Sequence, residues 1–486
     1  MVPQDSGWSW MVLIGAALQL MLTLGISKSS GILFVAFQDR FDSSAATTSL
    51  LSTVQNLTYA MFVMTVGVKL TTCRNLVFVG SLLNSAGFII TSRAVSINVL
   101  LFSYGVLIGL GYALTIGTSI IMVGLYFDKR RGLATTLAIA GGSVGSLVFA
   151  PLITALLEYY GYEGLMIIGA IYLNGFVSAF LFRPPGFYKS TCVTSEEGEN
   201  ALMIAENTKN AKVVKESAAD KDNPKFNVCQ QNTEDENKCV LKVSDQVSSE
   251  RAAHNKNNNL NQTHADVNAH KTIAVDTTLK TSHGSRILKT AKDMFYLRVF
   301  RKPSFIAFII SAILQCPAII LSTVFVAPFA KEIGVDSDRI ALLFIIYSIL
   351  DFFSRLLLAL IADKSYIQRT TLVACCSLMI GVTGHLLRWY TSFEFLVAYA
   401  CILGLVSGVY FSFYAVIIVD IIGLDTFQQV LGFTESSQCV TAACEFYIVG
   451  YLHDVTGNWV VPFHFLGSSV MLGGIIMFFL PKLKTE

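Results

Sequence analysis

The stretch Tyr347-Ser-Ile-Leu-Asp351-Phe-Phe-Ser-Arg355-Leu-Leu-Leu-Ala-Leu-Ile-Ala362 decides how the rest of the chain is read. It is an apolar, helix-length run carrying one carboxylate and one guanidinium four residues apart. At helical pitch the two side chains share one face about one turn apart, close enough to pair. On insertion scales each charge costs roughly 2.5–3.5 kcal/mol at the centre of a membrane helix. Pairing offsets part of that cost, whereas two apolar residues would avoid it. Two readings follow. Either the charges serve a pathway for ions or a charged substrate, or they form a buried pair that only pins helix packing.

Working outward, the 486 residues are 53% hydrophobic and 14% charged, with a mean hydropathy of +0.59. A soluble protein of this size carries about a quarter charged residues, so the chain reads as a polytopic membrane protein. A net charge of +2 argues against nucleic acid as a partner. The ten cysteines make no C-x-x-C, and the seven histidines show no ligand spacing. Neither a disulfide framework nor a metal site is expected, and no motif calls for a cofactor. The first apolar run is too long for a signal peptide and lacks a basic n-region, so it reads as the first span.

About 20 apolar residues cross the hydrocarbon as a helix. Six such runs precede a polar middle, at roughly 9–34, 47–68, 76–93, 97–125, 131–157 and 164–183. Six follow, at roughly 304–330, 340–362, 371–388, 395–421, 427–451 and 459–480. Polar residues interrupt the second and the eleventh. The expected organisation is a six-helix bundle over 1–183, a linker over 184–302 and a second six-helix bundle over 303–486. Short-loop Lys and Arg (Lys69, Arg74, Lys129, Arg130, Arg131, Lys364 and Arg369 among them) place both termini and the linker in the cytoplasm. The linker is rich in Asn, Lys, Glu and Ser and poor in aromatics, a composition that predicts disorder. Its sequon Asn261-Gln-Thr263 would go unused on that side. Its end, Arg286 to Lys302, mixes apolar with basic positions and fits either a helix on the anionic leaflet or a basic stop before the next span.

Within the spans, the spacings Gly105-x-x-x-Gly109 and Gly141-Gly142-x-x-Gly145 let helix backbones approach closely. Besides the Asp351/Arg355 pair, four further residues combine polarity with depth. Lys28 lies late in the first span, in the polar stretch Gly25-Ile-Ser-Lys28-Ser-Ser-Gly31. It either turns inward or snorkels to the outer surface. Asn174 sits mid-span, where it bonds a substrate oxygen or another helix. Glu435 reads as nearer the inner interface, and Glu445 as deeper and in need of a partner or a proton. No nucleophile–base pair or P-loop is present, so the chain does not read as an enzyme. The chemistry available is anion binding and proton movement.

Two signatures resemble those of the monocarboxylate transporters of the major facilitator superfamily. The first is Asp5-Ser-Gly7-Trp8-Ser9-Trp10, where the family usually has acidic-Gly-Gly-Trp-Gly-Trp. The second runs from Tyr126 through Arg130, Arg131 and Gly141 to Gly145, with Thr136 where the family usually has glycine. The resemblance covers essentially all twelve spans. It implies an all-α fold of two six-helix bundles, with the substrate between them and alternating access by rocking. It implies that Lys28 and Arg355 bind a carboxylate, that Asp351 and Lys28 carry protons, and that Asn174 and Asp420 match polar positions closing spans six and ten. Glu445 is a further proton-coupling candidate. Three departures mark a divergent member: Ser407 replaces an aromatic, Ser49 replaces a tryptophan, and Glu445-Phe446-Tyr447 stands where Gly-Pro-Pro is usual. Ser407 is expected to enlarge the substrate pocket.

The expected function is symport of a small organic monocarboxylate with a proton. The expected partners are these two, the lipid bilayer and, as a candidate, a single-span ancillary protein; the expected place is the plasma membrane. Two alternatives remain open: facilitated diffusion of a bulkier solute (an aromatic amino acid, creatine-like or hormone-like), or a non-transporting scaffold.

Overall fold

The computed structural model describes residues 5, 7–66, 73–183, 302–361, 368–390, 392–423 and 427–483, and among them all regular structure is helical. The first half holds α1 (Trp8–Lys28), α2 (Ser30–Phe41), α3 (Ala45–Val66), α4 (Cys73–Ser92), α5 (Ile108–Tyr126), α6 (Arg131–Tyr160), α7 (Leu165–Tyr172) and α8 (Gly175–Leu181). The second holds α9 (Pro303–Val324), α10 (Val326–Glu332), α11 (Ser337–Ile361), α12 (Arg369–His385), α13 (Phe393–Ile422), α14 (Phe427–Thr456) and α15 (Val460–Leu483). Of the expected linker over 184–302, only Lys302 lies among the described residues.

Nine helical runs among the described residues are long and apolar enough to cross a membrane. One of them, Arg131–Leu181, covers 51 residues and holds two crossings. The chain turns between these at Gly161, whose φ of 59° suits a residue without a Cβ. The crossings outside this set are α3 and α14, the two whose apolar runs are interrupted. They pack along each other, so each hides its polar residues against the other. Twelve crossings result.

Helix pairings recur with an offset of six crossings. α1 packs on α6 as α9 packs on α14, α3 on α5 as α11 on α13, and α4 on α7 as α12 on α15. That repetition is the signature of two six-helix bundles related by pseudo-symmetry. The bundles meet along two seams, α3 with α14 and α6 with α11. Within the first bundle the glycines set the closest crossing. A Cβ on Gly25 would lie 2.5 Å from the Gly145 Cα, and Gly141 abuts the Ala17 carbonyl. Only small residues allow α1 and α6 to pack backbone to backbone there.

The seams are polar. In one, the Thr53 hydroxyl donates to the Ala443 carbonyl at 3.0 Å and the Ser436 hydroxyl to the Ala60 carbonyl at 2.9 Å. At its end away from the termini, the Asp454 carboxylate accepts from the Ala45 and Ala46 N–H groups at 3.0 and 2.9 Å. These are among the first N–H groups of α3, which have no partner within their own helix. Lys331 pairs with Asp39 across the same end.

Candidate substrate site at the bundle interface

The site starts at a helix break. Ser29 (φ −86°, ψ 4°) separates α1 from α2, so the polar stretch around Lys28 is irregular as its composition suggests. Lys28 ends α1 and turns inward, with its side chain 19% exposed. Its ammonium pairs with Asp351 Oδ2 and lies 3.4 Å from the Ser143 hydroxyl and 5.5 Å from the Tyr347 ring centroid. The Ser143 hydroxyl donates to the same Oδ2 at 2.5 Å. On α11, Arg355 Nε donates to Asp351 Oδ1 at 3.0 Å, the pairing that the four-residue spacing predicts.

Asp351 therefore holds two cations, one from each bundle. Its side chain and that of Arg355 are 0% and 1% exposed. Arg355 Nη1 has no hydrogen-bond partner among the described residues, and the guanidinium carbon lies 5.8 Å from the Phe411 ring centroid. A Cβ at Gly408 would come within 2.7 Å of Asp351 Oδ1, so glycine at that point of α13 leaves room for the pair. Lys28, Arg355 and Asp351 together leave one positive charge in excess. The next hydroxyl pair along the seam, Ser348 with Ser146 at 2.8 Å, continues the contact between α6 and α11.

Beside this cluster lies a cavity of about 200 Å³, reached from the side of the bundle that bears both termini. Ser27 and Phe411, neighbours of Lys28 and Arg355, form part of its wall. Gln55, Asn56 and Tyr59 line it from α3, Tyr410 and Tyr414 from α13, and Glu435 and Gln438 from α14. Gln438 Nε2 donates to the Tyr410 hydroxyl at 2.8 Å, which fixes that ring against the wall. At the opposite end the Asp454 and Asp39–Lys331 contacts join the two bundles.

Three residues named from the sequence fall elsewhere. Asn174 is exposed in the break between α7 and α8, with Nδ2 donating to the Ile171 carbonyl of its own turn at 2.8 Å. It faces away from the cluster. Ser407 is buried and its hydroxyl meets that of Tyr347 at 3.3 Å, so the tyrosine fills the space that a small residue would free. The cavity wall beside it is made by Tyr410 and Phe411 instead. Glu445 is buried outside the cavity wall, with Ser469 donating to Oε1 at 3.4 Å. Glu435, expected nearer the inner interface, is the glutamate on the cavity wall, and Glu445, expected deeper and in need of a partner, is buried against that one hydroxyl. Ser143 was missed altogether: a serine beside two glycines reads as packing.

The signature residues meet one another. Asp5 accepts from the N–H groups of Asp128, Lys129 and Arg130 at 3.3, 3.0 and 3.1 Å. Slight desolvation pushes the Asp5 carboxyl up, but these N–H groups and the Arg130 charge outweigh it and hold the carboxyl below its ordinary value. Arg131 donates to the Phe127 and Gly124 carbonyls at 3.2 and 3.1 Å, closing the end of α5. Trp8 Nε1 donates to the Leu181 carbonyl at 3.1 Å, and Trp10 meets the Phe127 ring edge-on at 5.5 Å. In the second bundle Asp420 pairs with Arg369 at 2.8 Å. These contacts tie helix ends together on the side of the termini. None of them reaches the charge cluster.

Ser49, one of the departures, packs against Gly450 of α14: a Cβ on that glycine would lie 2.5 Å from the Ser49 hydroxyl and 2.7 Å from the Ala45 carbonyl, so the glycine allows the two helices their close crossing.

Comparison with known proteins agrees with this geometry. The profile of the Major Facilitator Superfamily matches residues 7–315 and 304–486. Monocarboxylate transporter 12 of Xenopus laevis is 26% identical over 482 residues, 98% of this chain and 89% of the relative. Monocarboxylate transporter 1 of Bos taurus is 25% identical over 98% of this chain and 85% of its own. Monocarboxylate transporter 14 of Homo sapiens is 24% identical over 99% and 92%. The chain belongs to the major facilitator superfamily of transporters, as a divergent relative of its monocarboxylate transporters.

Proposed function

We propose that the protein is a symporter that carries a small organic monocarboxylate together with a proton by alternating access. The observation that carries this reading is the unpartnered Nη1 of an almost wholly buried arginine, in a cluster with one positive charge in excess. A buried donor without a partner is costly, and a carboxylate gives a guanidinium a charge-assisted, bidentate contact. The names of the relatives support the same substrate class.

Charge counting supports the proton. The empty cluster carries one net positive charge, and a bound carboxylate alone would cancel it. A proton on Asp351 restores the charge of the empty state, so the loaded and empty carriers reorient with equal charge. It also frees Arg355 and Lys28 from their shared anion, so that both turn to the substrate. Release of Asp351 from Lys28 opens one link between the bundles, which couples binding to the rocking motion.

Purified protein in liposomes tests this. Carboxylate uptake rises as the outside is made more acidic than the inside, and the interior acidifies as substrate enters. Carboxylate uptake with a flat pH profile and no proton flux points to facilitated diffusion instead.

A further inference from the structure

We infer that Ser143 is the positioning residue of the proton step: its hydroxyl holds Asp351 in both protonation states, as donor to the carboxylate and as acceptor from the acid. The inference rests on the symport reading above and names the residue of the first bundle that senses the proton.

Ser143 is buried on α6, and its hydroxyl stands between two charges. It donates to Asp351 Oδ2 at 2.5 Å and accepts from the Lys28 ammonium at 3.4 Å. A serine oxygen has one proton and two lone pairs, so it fills both roles at once. The neighbouring glycines aim it. Gly141, Gly142 and Gly145 seat α6 on α1, against the Ala17 carbonyl, the Leu24 side chain and the Met21 carbonyl. Ser143 and Ser146 turn instead to α11. Ser146 meets the Ser348 hydroxyl at 2.8 Å, and Ser348 lies three residues before Asp351 as Ser146 lies three after Ser143. The two helices therefore run antiparallel with two rungs about one turn apart, one on the charge cluster and one neutral.

Lys28 and Ser143 respond differently to a proton. An ammonium only donates, and its charge attraction to Asp351 ends when the carboxylate is neutralised. A hydroxyl reverses: it accepts the new O–H of Asp351 and keeps the carboxyl in register with α6. The bond that remains joins neutral groups and is about half as strong as the charge-assisted one. Protonation thus frees Lys28 and loosens the seam between α6 and α11 without letting Asp351 swing away. Arg355 cannot pass this signal to the first bundle, because it sits on the same helix as Asp351.

The test follows propanoate uptake by the full chain in liposomes as a function of pH. Ser143→Ala removes the donor to the carboxylate, so less acid is needed to neutralise Asp351. The pH of half-maximal uptake rises by about one unit or more. Ser143→Cys, of similar volume and a weaker donor, moves the midpoint the same way by less. Ser143→Thr keeps the hydroxyl and the wild-type profile. Ser146→Ala breaks the neutral rung of the same seam and leaves the midpoint in place, whatever it does to the rate. The midpoint is independent of how much variant reaches the membrane. A midpoint unmoved by Ser143→Ala and Ser143→Cys overturns the inference and leaves the symport reading standing. So does an equal shift in Ser146→Ala or in Ser143→Thr, which makes Ser143 a packing residue. Wild-type uptake that ignores pH, or no uptake, defeats the symport reading itself, and the inference with it.

Discussion

Asp351 is shared between two cations, so changes at the cluster separate binding from folding. Arg355→Ala removes the counter-charge of the substrate and leaves Asp351 to Lys28 and Ser143. Truncating a buried charged contact costs about 2–5 kcal/mol, so carboxylate uptake per molecule at the surface falls at least thirtyfold by the usual conversion. Arg355→Lys is also impaired, because one ammonium cannot hold Asp351 through Nε and present a planar fork to the substrate. Uptake normalised to surface abundance checks both. Full uptake by the alanine variant removes Arg355 from the site. Lys28, Asp351 and Arg355 were legible in the sequence because a charge stands out in an apolar run. Ser143 was not, since hydroxyls are ordinary in glycine-rich helices. The surroundings of Asn174 and Ser407 were not legible for one reason: position along a chain gives depth, but the face a residue turns inward depends on helix rotation and on breaks such as that between α7 and α8.

At the scale of elements, the seam between α3 and α14 carries hydrogen bonds that hydroxyls donate and that one carboxylate accepts. Such contacts exchange for water without exposing large apolar surface, which suits a seam that must open. Asp454 acts as a cap on α3 supplied by the other bundle. Removing a helix N-cap costs about 0.5–2 kcal/mol, so Asp454→Ala lowers the closed population at that end by about two- to thirtyfold. Hydrogen exchange at the Ala45 and Ala46 amides rises accordingly. Unchanged exchange there would mean that the cap carries no closing energy. The interrupted apolar runs of α3 and α14 were visible in the sequence as doubtful spans. Their mutual packing was not, because nothing local in either run names its partner.

For the molecule as a whole, the cavity, the charge cluster and both seams are built from helices outside the region between Arg183 and Lys302. Deleting roughly residues 195–280 is therefore expected to leave carboxylate transport largely intact, because it removes none of the residues that build the cavity or the cluster. Loss of turnover at unchanged surface abundance would assign that region a part in gating. Ten of the twelve crossings were legible from apolar length alone, and the interrupted runs of α3 and α14 completed the count. Which end is shut was not, since a rocking carrier has one sequence and more than one arrangement of its seams.

The pairing of α3 with α14 has a consequence for biosynthesis. The bonds that shelter their polar residues join positions 376 to 409 residues apart. When α3 leaves the ribosome its partner does not yet exist, and α3 is less apolar than the runs that qualify as spans by themselves. Until the second half is made, its polar residues have only its own bundle, α5 among it, to pack against. Stalling synthesis before α14 should leave the first bundle complete in length but with one helix still unsettled.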